Sequence, residues 1–132
     1  MKIKSEQEML EFGAKFVPRT NVIELIGDVG AGKTTFVRGF AKGLGIKEPI
    51  TSPSFTISKV YACRDGKNLV HYDFYRLPEP ELMSDDLIES ISDPNSIVVV
   101  EWADSVKNVL PDDHEIIRIE YVDENTREVK VV

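Results

Sequence analysis

The sequence is poor in cysteine, histidine and tryptophan, with one Cys, two His and one Trp in 132 residues. Because Cys63 is alone, it cannot form an internal disulfide, and the simple interpretation is a reducing, cytoplasmic environment. Cys63 is either a reactive thiol or a half-buried structural residue, and the second is the more common case. His71 and His114 have no partner at the spacing of metal ligands, so we interpret both as structural.

Long apolar runs and an excess of positive charge are also missing. No stretch approaches the roughly 18 apolar residues of a membrane helix, and the first residues lack the apolar core of a secretory signal, so no membrane association is expected. The formal net charge is −7, from 23 acidic and 16 basic residues. A nucleic-acid backbone is repelled by that average, and the basic patch at 42–47 is thin, so we expect no strong direct nucleic-acid binding.

The remaining patterns predict alternating helices and strands. Ser5 and Glu8 form a capping box that starts an amphipathic helix. Val22–Ile26 is an almost continuous apolar run before a glycine, as in a buried parallel strand, and a helix with its end at Gly45 follows. Residues 78–91 are helical in pattern but interrupted around Ser84, so one helix and two short helices are equally compatible. Further strands are predicted at 55–63, 68–74 and 96–101, with a C-terminal hairpin over 116–132.

One motif points to chemistry. The segment from Gly27 to Thr34 reads Gly-Asp-Val-Gly-Ala-Gly-Lys-Thr and matches in full the pattern of a phosphate-binding loop. Glycines let the backbone curl so that amide hydrogens converge on phosphate oxygens, and the following helix adds the positive end of its dipole. Lys33 would reach the β- and γ-phosphates, while the Thr34 hydroxyl would ligate magnesium.

The context that this motif requires is present, since an apolar strand precedes it and an amphipathic helix follows it. We therefore predict an α/β domain of the P-loop NTPase type, with a mostly parallel central sheet flanked by helices and antiparallel hairpin additions. The alternative, a glycine turn without a ligand, does not account for that context. The loop residues predicted to bind the nucleotide are Asp28, Val29, Gly30, Ala31, Gly32, Lys33, Thr34 and Thr35.

A P-loop enzyme also needs a carboxylate at the end of a neighbouring strand to help hold magnesium. Glu101 follows four β-branched residues, and Asp73 ends a more polar strand. Ligands bind at the carboxyl ends of strands in such sheets, so both acids are candidates. The alternative for each is an ordinary acid at the point where the chain surfaces.

Two further groups lie near these candidates in the sequence. Ser52, Ser54 and Thr56 follow the phosphate-loop helix and could approach the γ-phosphate as a switch segment does, or form a structural turn. Trp102 follows Glu101 directly, and a partner-contact role and core packing are equal alternatives for it.

Several P-loop classes lack support. The guanine-reading Asn-Lys-x-Asp tetrapeptide of GTPases does not occur, and the arginines do not cluster as in the lid of a small-molecule kinase. Motor and helicase ATPases are far longer. A minimal ATPase or an ATP-dependent switch remains, with a small-molecule or nucleoside kinase and a nucleotide-gated interaction module as alternatives.

Four segments together resemble one known family. Residues 27–36 (GDVGAGKTTF), 52–55 (SPSF), 71–77 (HYDFYRL) and 101–102 (EW) are similar, in order and spacing, to the bacterial TsaE family, also called YjeE. The likeness implies a single P-loop ATPase domain over residues 1–132. It also implies a cytoplasmic, magnesium-dependent ATPase that acts with TsaB- and TsaD-like partners to make threonylcarbamoyladenosine in tRNAs reading codons that begin with A.

The resemblance also implies roles for single residues. Lys33, Asp73 and Glu101 would be catalytic, with Glu101 joining Thr34 on the magnesium side and Asp73 needed for hydrolysis. Which of the two acids orients the attacking water stays open, and so does the source of an arginine finger, for which Arg76 is the candidate within this chain. Further positions are implied near the nucleotide or its γ-phosphate end, namely Glu6, Arg127, Ser52, Ser54 and Trp102. Ser54 departs from the threonine that is usual in the family loop, which keeps the hydroxyl and loses the methyl.

Overall fold

The computed structural model describes residues 1–28, 30–51, 58–75 and 81–132, except the side chains of residues 81–83. Within these residues, one sheet carries helices on both faces. The elements in chain order are β1 (Lys2–Ile3), α1 (Glu6–Lys15), β2 (Val22–Ile26), α2 (Lys33–Gly43), β3 (Ser58–Ala62), β4 (Asn68–Asp73), α3 (Glu81–Ser92), β5 (Ser96–Glu101), a 3₁₀ segment (Ala103–Val109), β6 (Glu115–Asp123) and β7 (Thr126–Val131).

The strands lie in the order β1-β7-β6-β2-β5-β4-β3. The four in the middle, β6, β2, β5 and β4, run parallel to one another. Antiparallel pairing is confined to the edges, where β3 joins β4, and β7 joins β6 and β1. This confirms the predicted α/β class, and it brings the carboxyl ends of β2, β4 and β5 to one edge of the sheet, where ligands bind in such folds.

Both predicted helix-end signals are confirmed. At the start of α1, the Ser5 Oγ accepts a hydrogen bond from the Glu8 amide at 3.1 Å. After α2, Gly45 takes a positive φ of 79°, which a residue with a side chain adopts only at a cost. The Ile46 amide then donates to the Ala41 carbonyl at 3.0 Å, which closes the helix end.

Glycines set the close approach of α1 and α2. A Cβ at Gly39 would lie 2.2 Å from the Leu10 carbonyl oxygen, and one at Gly43 would lie 2.4 Å from the Ala14 carbonyl oxygen. Beside this contact the rings of four phenylalanines pack against one another, namely Phe12, Phe16, Phe36 and Phe40. The packing fixes α2, and with it the helix start that follows the phosphate loop.

Replacing Gly39 by alanine is expected to destabilise the fold by about 1–3 kcal/mol, the usual cost of overpacking. Alanine favours a helix by about 1 kcal/mol over glycine, but here the new methyl meets backbone, which cannot rotate away. Chemical denaturation measures the change. Lys42→Ala, on the exposed side of α2, is the control and should stay within about 0.5 kcal/mol. Equal or higher stability of the Gly39 variant would contradict the close helix contact.

The opposite face of the sheet is covered by α3 and the 3₁₀ segment. α3 runs without interruption past Ser84, so the alternative of two short helices is wrong for the described residues. The Tyr72 hydroxyl ties the sheet to α3, donating to Asp86 Oδ2 at 2.7 Å and lying 2.7 Å from Ser90 Oγ. Burial raises the pKa of Tyr72, so the hydroxyl stays protonated and able to donate.

Two expectations from the sequence concern membrane-spanning helices and the reactivity of Cys63. Among the described residues there is no helix with the length and apolar character needed to cross a bilayer. Cys63 is half-buried, and burial raises the pKa of its thiol, which favours the structural interpretation over a reactive one.

Candidate nucleotide-binding site

The phosphate loop connects β2 to α2 at the carboxyl edge of the sheet. Gly30 and Gly32 adopt φ values of 84° and 108°, so glycine is required at both places. The Ala31 amide donates to the Asp28 carbonyl at 3.0 Å, which curls the loop. α2 begins at Lys33 with no side-chain cap on its first amides, so its N-terminus is available to an anion. Val29 lies outside the described residues.

The Lys33 side chain contacts two residues at the end of another strand, Glu101 and Trp102. Its side chain is only 7% exposed, and its Nζ lies 3.6 Å from Glu101 Oε1. The same Nζ lies 4.1 Å from the centre of the Trp102 ring, within the range of a cation–π contact. A carboxylate and an aromatic face thus hold the ammonium group beside the loop.

Asp73 and Glu101 are brought together as the sequence predicted. They face each other in the parallel register of β4 and β5, and both are buried, at 7% and 4% exposure. Asp73 Oδ1 accepts a hydrogen bond from the Tyr75 amide at 2.9 Å, and the Glu101 carbonyl accepts one from the Phe74 amide at 3.1 Å. Asp73 therefore lies beside the carboxylate that pairs with Lys33.

His71 belongs to the same cluster, which sequence reasoning missed. Its ring is fully buried, and Nε2 lies 2.5 Å from Glu101 Oε2. Side chains alternate between the faces of a strand, so His71 shares a face with Asp73, two residues later. That spacing was the signal in the sequence, and it becomes informative only once β4 is known to be a strand at the site.

Trp102 has a strained backbone. Its φ is 56°, and it is the one non-glycine residue with positive φ among the described residues. This conformation costs a non-glycine residue roughly 1–2 kcal/mol. Its ring lies 4.6 Å from the Tyr75 ring and beside the Lys33 ammonium, and it is partly exposed. The side chain also packs against the hydrophobic cluster on the α3 face of the sheet, so the core-packing alternative has support in the structure. Because strain of this kind is often retained at functional sites, a functional role stays open beside it.

A cavity of about 430 Å³ lies on the α1 side of the loop. Glu6, Thr35 and Arg127 line it together with Gly30 and Gly32 of the loop. The Arg127 Nε donates to the Ala31 carbonyl at 3.0 Å, which fastens β7 to the phosphate loop.

A second cavity of about 320 Å³ lies on the other side of the loop, lined by Asp28, Lys33 and Trp102 among others. Beneath it is the buried Glu24, whose Oε1 lies 2.9 Å from His114 Nε2. His114 Nδ1 lies 2.6 Å from the Pro111 carbonyl. Both ring nitrogens thus face acceptors, which supports the structural interpretation of His114.

The available metal ligands are few. Among residues 1–28, 30–51, 58–75 and 81–132, no group of three or more His, Cys, Asp or Glu side chains could hold an ion by itself. Thr34 and Glu101 are hard oxygen donors, and magnesium in phosphoryl-transfer sites commonly takes one or two protein oxygens and completes its shell with phosphates and water. The residues present fit that use. Ser52, Ser54, Thr56 and Arg76 lie outside the described residues.

Comparison with known proteins gives a consistent result. Residues 3–129 match the family model described as "Threonylcarbamoyl adenosine biosynthesis protein TsaE". The Haemophilus influenzae tRNA threonylcarbamoyladenosine biosynthesis protein TsaE is 34% identical over 92% of this chain and 82% of its own length. The Bacillus subtilis protein of the same name is 40% identical, over 88% of this chain and 72% of its own length. The crystal structure of Bacillus subtilis YdiB aligns with a TM-score of 0.73 at 33% identity, covering 98% of this chain and 80% of that one.

Proposed function

The chain belongs to the TsaE family, and on that premise we propose that it is the ATP-cycling subunit of a tRNA-modifying assembly. It binds ATP with magnesium and hydrolyses it to ADP and phosphate. It thereby supports formation of threonylcarbamoyladenosine in tRNAs that read codons beginning with A, acting in the cytoplasm with TsaB- and TsaD-like proteins. The observation that carries the hydrolytic part is the convergence of Lys33, Asp73 and Glu101 at the phosphate loop.

The triphosphate is bound by the loop amides, the start of α2 and Lys33. On binding, the Lys33 ammonium exchanges its contact with Glu101 for the β- and γ-phosphates, where it offsets developing charge. Thr34 and Glu101 would hold magnesium, which supplies further charge neutralisation on the phosphate oxygens. The cavity lined by Glu6, Thr35 and Arg127 has room for the adenosine end.

Asp73 is the better placed of the two acids to orient water. In this proposal Glu101 serves as the magnesium ligand, and Asp73 lies beside it at the same edge of the sheet, where it can hold the water. Water positioned by the Asp73 carboxylate attacks the γ-phosphorus in line with the leaving oxygen, and the bond from phosphorus to that oxygen breaks to release ADP. The proton of the water passes to Asp73 and from there to solvent. The chemistry then consists of positioning and charge neutralisation, with phosphate release as the outcome.

The charge of the chain supports a partner-dependent role in RNA modification. A net charge of −7 opposes direct binding to a tRNA backbone, so contact with the RNA is left to the partner proteins. The tRNA is then a substrate of the assembly and not a ligand of this subunit.

Phosphate release by the protein alone, and with TsaB- and TsaD-like proteins added, tests the proposal. We expect weak hydrolysis alone and a clear increase with both partners, together with a nucleotide-dependent complex in size-exclusion chromatography. No association in any nucleotide state would remove the partner assignment. A phosphorylated product in a metabolite screen, with no phosphate release, would favour a small-molecule kinase.

Replacing Asp73 by asparagine is expected to reduce turnover by about 10²-fold, the usual scale for a group that assists proton transfer. The affinity for ATP with magnesium should stay within about threefold, because the amide keeps the shape and still accepts from the Tyr75 amide. Phosphate release and equilibrium nucleotide binding are measured on the same preparation. Asp112→Asn, at an exposed position, is the control. Unchanged turnover would assign the water to another residue.

A further inference from the structure

His71 occupies a position where the sheet otherwise places apolar side chains. It lies in the middle of β4, in register with Val99 of β5, and it is fully buried. Leu69 and Val99 on the same face belong to the core under α2. A buried imidazole is unfavourable in such surroundings unless its polar atoms are used. The role of His71 can therefore be inferred from the group that its ring contacts.

That contact is with the Glu101 carboxylate. Because Val99 is two residues before Glu101, the His71 and Glu101 side chains are diagonal neighbours on one face of the sheet, which is within reach for two long side chains. Nε2 lies 2.5 Å from Glu101 Oε2. An ionised carboxylate only accepts hydrogen bonds, so Nε2 carries the hydrogen and donates it.

The other ring nitrogen identifies the tautomer. Within the described part of the chain, Nδ1 is buried and has no hydrogen-bond partner. A hydrogen on Nδ1 would leave a buried donor unsatisfied, which is the costlier arrangement. The geometry therefore favours a hydrogen on Nε2, where it is donated to Glu101.

The two oxygens of Glu101 then have different surroundings. Oε2 is held by His71, and Oε1 points toward the phosphate loop, 3.6 Å from Lys33 Nζ. With Oε2 held by this hydrogen bond, rotation of the carboxylate about its last bond is restrained. Residues that hydrogen-bond a metal-ligating side chain fix its orientation in this way, and their loss typically costs 10- to 100-fold in metal affinity.

We propose that His71 is a positioning residue that fixes the Glu101 carboxylate so that Oε1 is presented to magnesium at the phosphate loop. The inference rests on the proposed function, because that function makes Glu101 a ligand of magnesium. It adds a residue that neither contacts the nucleotide nor acts in the hydrolytic step. Its effect is on how much magnesium the site requires, and only through that on turnover.

The variants His71→Leu and His71→Gln test the proposal in the full-length chain. Leucine removes the donor and puts an apolar side chain of similar size in the place of the imidazole. Glutamine restores a donor, because its Nε2 can lie close to the position of the imidazole Nε2. Binding of a fluorescent ATP analogue is measured over a magnesium titration and again in EDTA. We expect His71→Leu to need about tenfold more magnesium for half-saturation, with unchanged binding in EDTA, and His71→Gln to recover most of that loss.

Separate outcomes overturn separate parts. If magnesium has no effect on nucleotide binding by the unaltered protein, the proposed magnesium dependence fails and the inference with it. If magnesium matters and both variants match the unaltered protein, only the role of His71 is wrong. If the two variants are equally impaired, the role is packing and not hydrogen bonding.

A measurement on the unaltered protein avoids any problem with variant folding. Long-range ¹⁵N–¹H correlation spectra report which nitrogen of each histidine carries a hydrogen, and His114→Gln assigns the two ring systems. We expect a hydrogen on Nε2 and a bare Nδ1 for His71. A hydrogen on Nδ1 with a bare Nε2 would overturn the proposal.

Discussion

Replacing Glu101 by glutamine is expected to reduce ATP turnover by roughly 10³-fold, equivalent to about 4 kcal/mol of barrier. The substitution keeps the size of the side chain and removes its negative charge. The carboxamide still accepts from His71 through its oxygen, but its NH₂ group then faces the Lys33 ammonium, so two donors oppose each other. The one substitution thus removes both the carboxylate that is proposed to bind magnesium and the anion that pairs with Lys33.

Nucleotide affinity should change in opposite directions with and without magnesium. In EDTA, the buried negative charge of Glu101 repels the triphosphate, so Glu101→Gln is expected to bind ATP as well as the unaltered protein or more tightly. With magnesium present, the missing carboxylate should make binding weaker. Calorimetric titration under the two conditions measures both, and a uniform loss would indicate a folding defect instead.

Glu115→Gln is the matched control. Glu115 is also 4% exposed, but it lies at the start of β6 and pairs with Arg19, with 2.9 Å between Oε2 and Nε. Its loss should lower stability and leave turnover and magnesium dependence unchanged. If both variants lost turnover equally, burial of a carboxylate anywhere in the sheet would be the cause, and Glu101 would have no special role.

The sequence predicted the parts of this site that depend on local order. The glycines and the lysine of Gly27–Thr34 are enough to indicate a phosphate-binding loop. Four β-branched residues before Glu101 are likewise enough to indicate a buried strand with an acid at its end. Parallel neighbours then bring Asp73 and Glu101 to the same edge, which the register confirms. The roles of these residues remain predictions.

Other features depend on contacts between distant parts of the chain, and no local pattern shows them. β1 has two residues and exists through its pairing with β7, more than 120 residues later. The 3₁₀ segment Ala103–Val109 has no helical period, being kinked at Val106. A lone histidine within a strand is uninformative until the diagonal contact of His71 with Glu101 is known. Long-range contacts decide the first and the third of these, and the 3₁₀ segment packs into the cluster on the α3 face of the sheet.

Replacing Lys33 by methionine is the complementary experiment, with an expected loss of roughly 10²–10³-fold in turnover, the scale for removing one preorganised charged donor. Methionine fills the nearly closed site of the lysine side chain without its charge. Nucleotide affinity should fall by roughly 10- to 150-fold, as for a lost charge-assisted hydrogen bond, both in EDTA and with magnesium. This pattern differs from that of Glu101→Gln, which is expected to be weaker only when magnesium is present.

The fluorescence of Trp102, the single tryptophan, can report the proposed movement of Lys33 in the unaltered protein. The Lys33 ammonium lies 4.1 Å from the centre of the Trp102 ring. Phosphates that draw the ammonium away should change Trp102 emission on nucleotide binding, and Lys33→Met should already differ before nucleotide is added. Lys107→Met is the control, because its side chain is 60% exposed and pairs with the exposed Asp104 across 3.9 Å. An emission change of equal size in Lys33→Met and the unaltered protein would show that Lys33 does not move, and the exchange of its contact from Glu101 to phosphate would then be wrong.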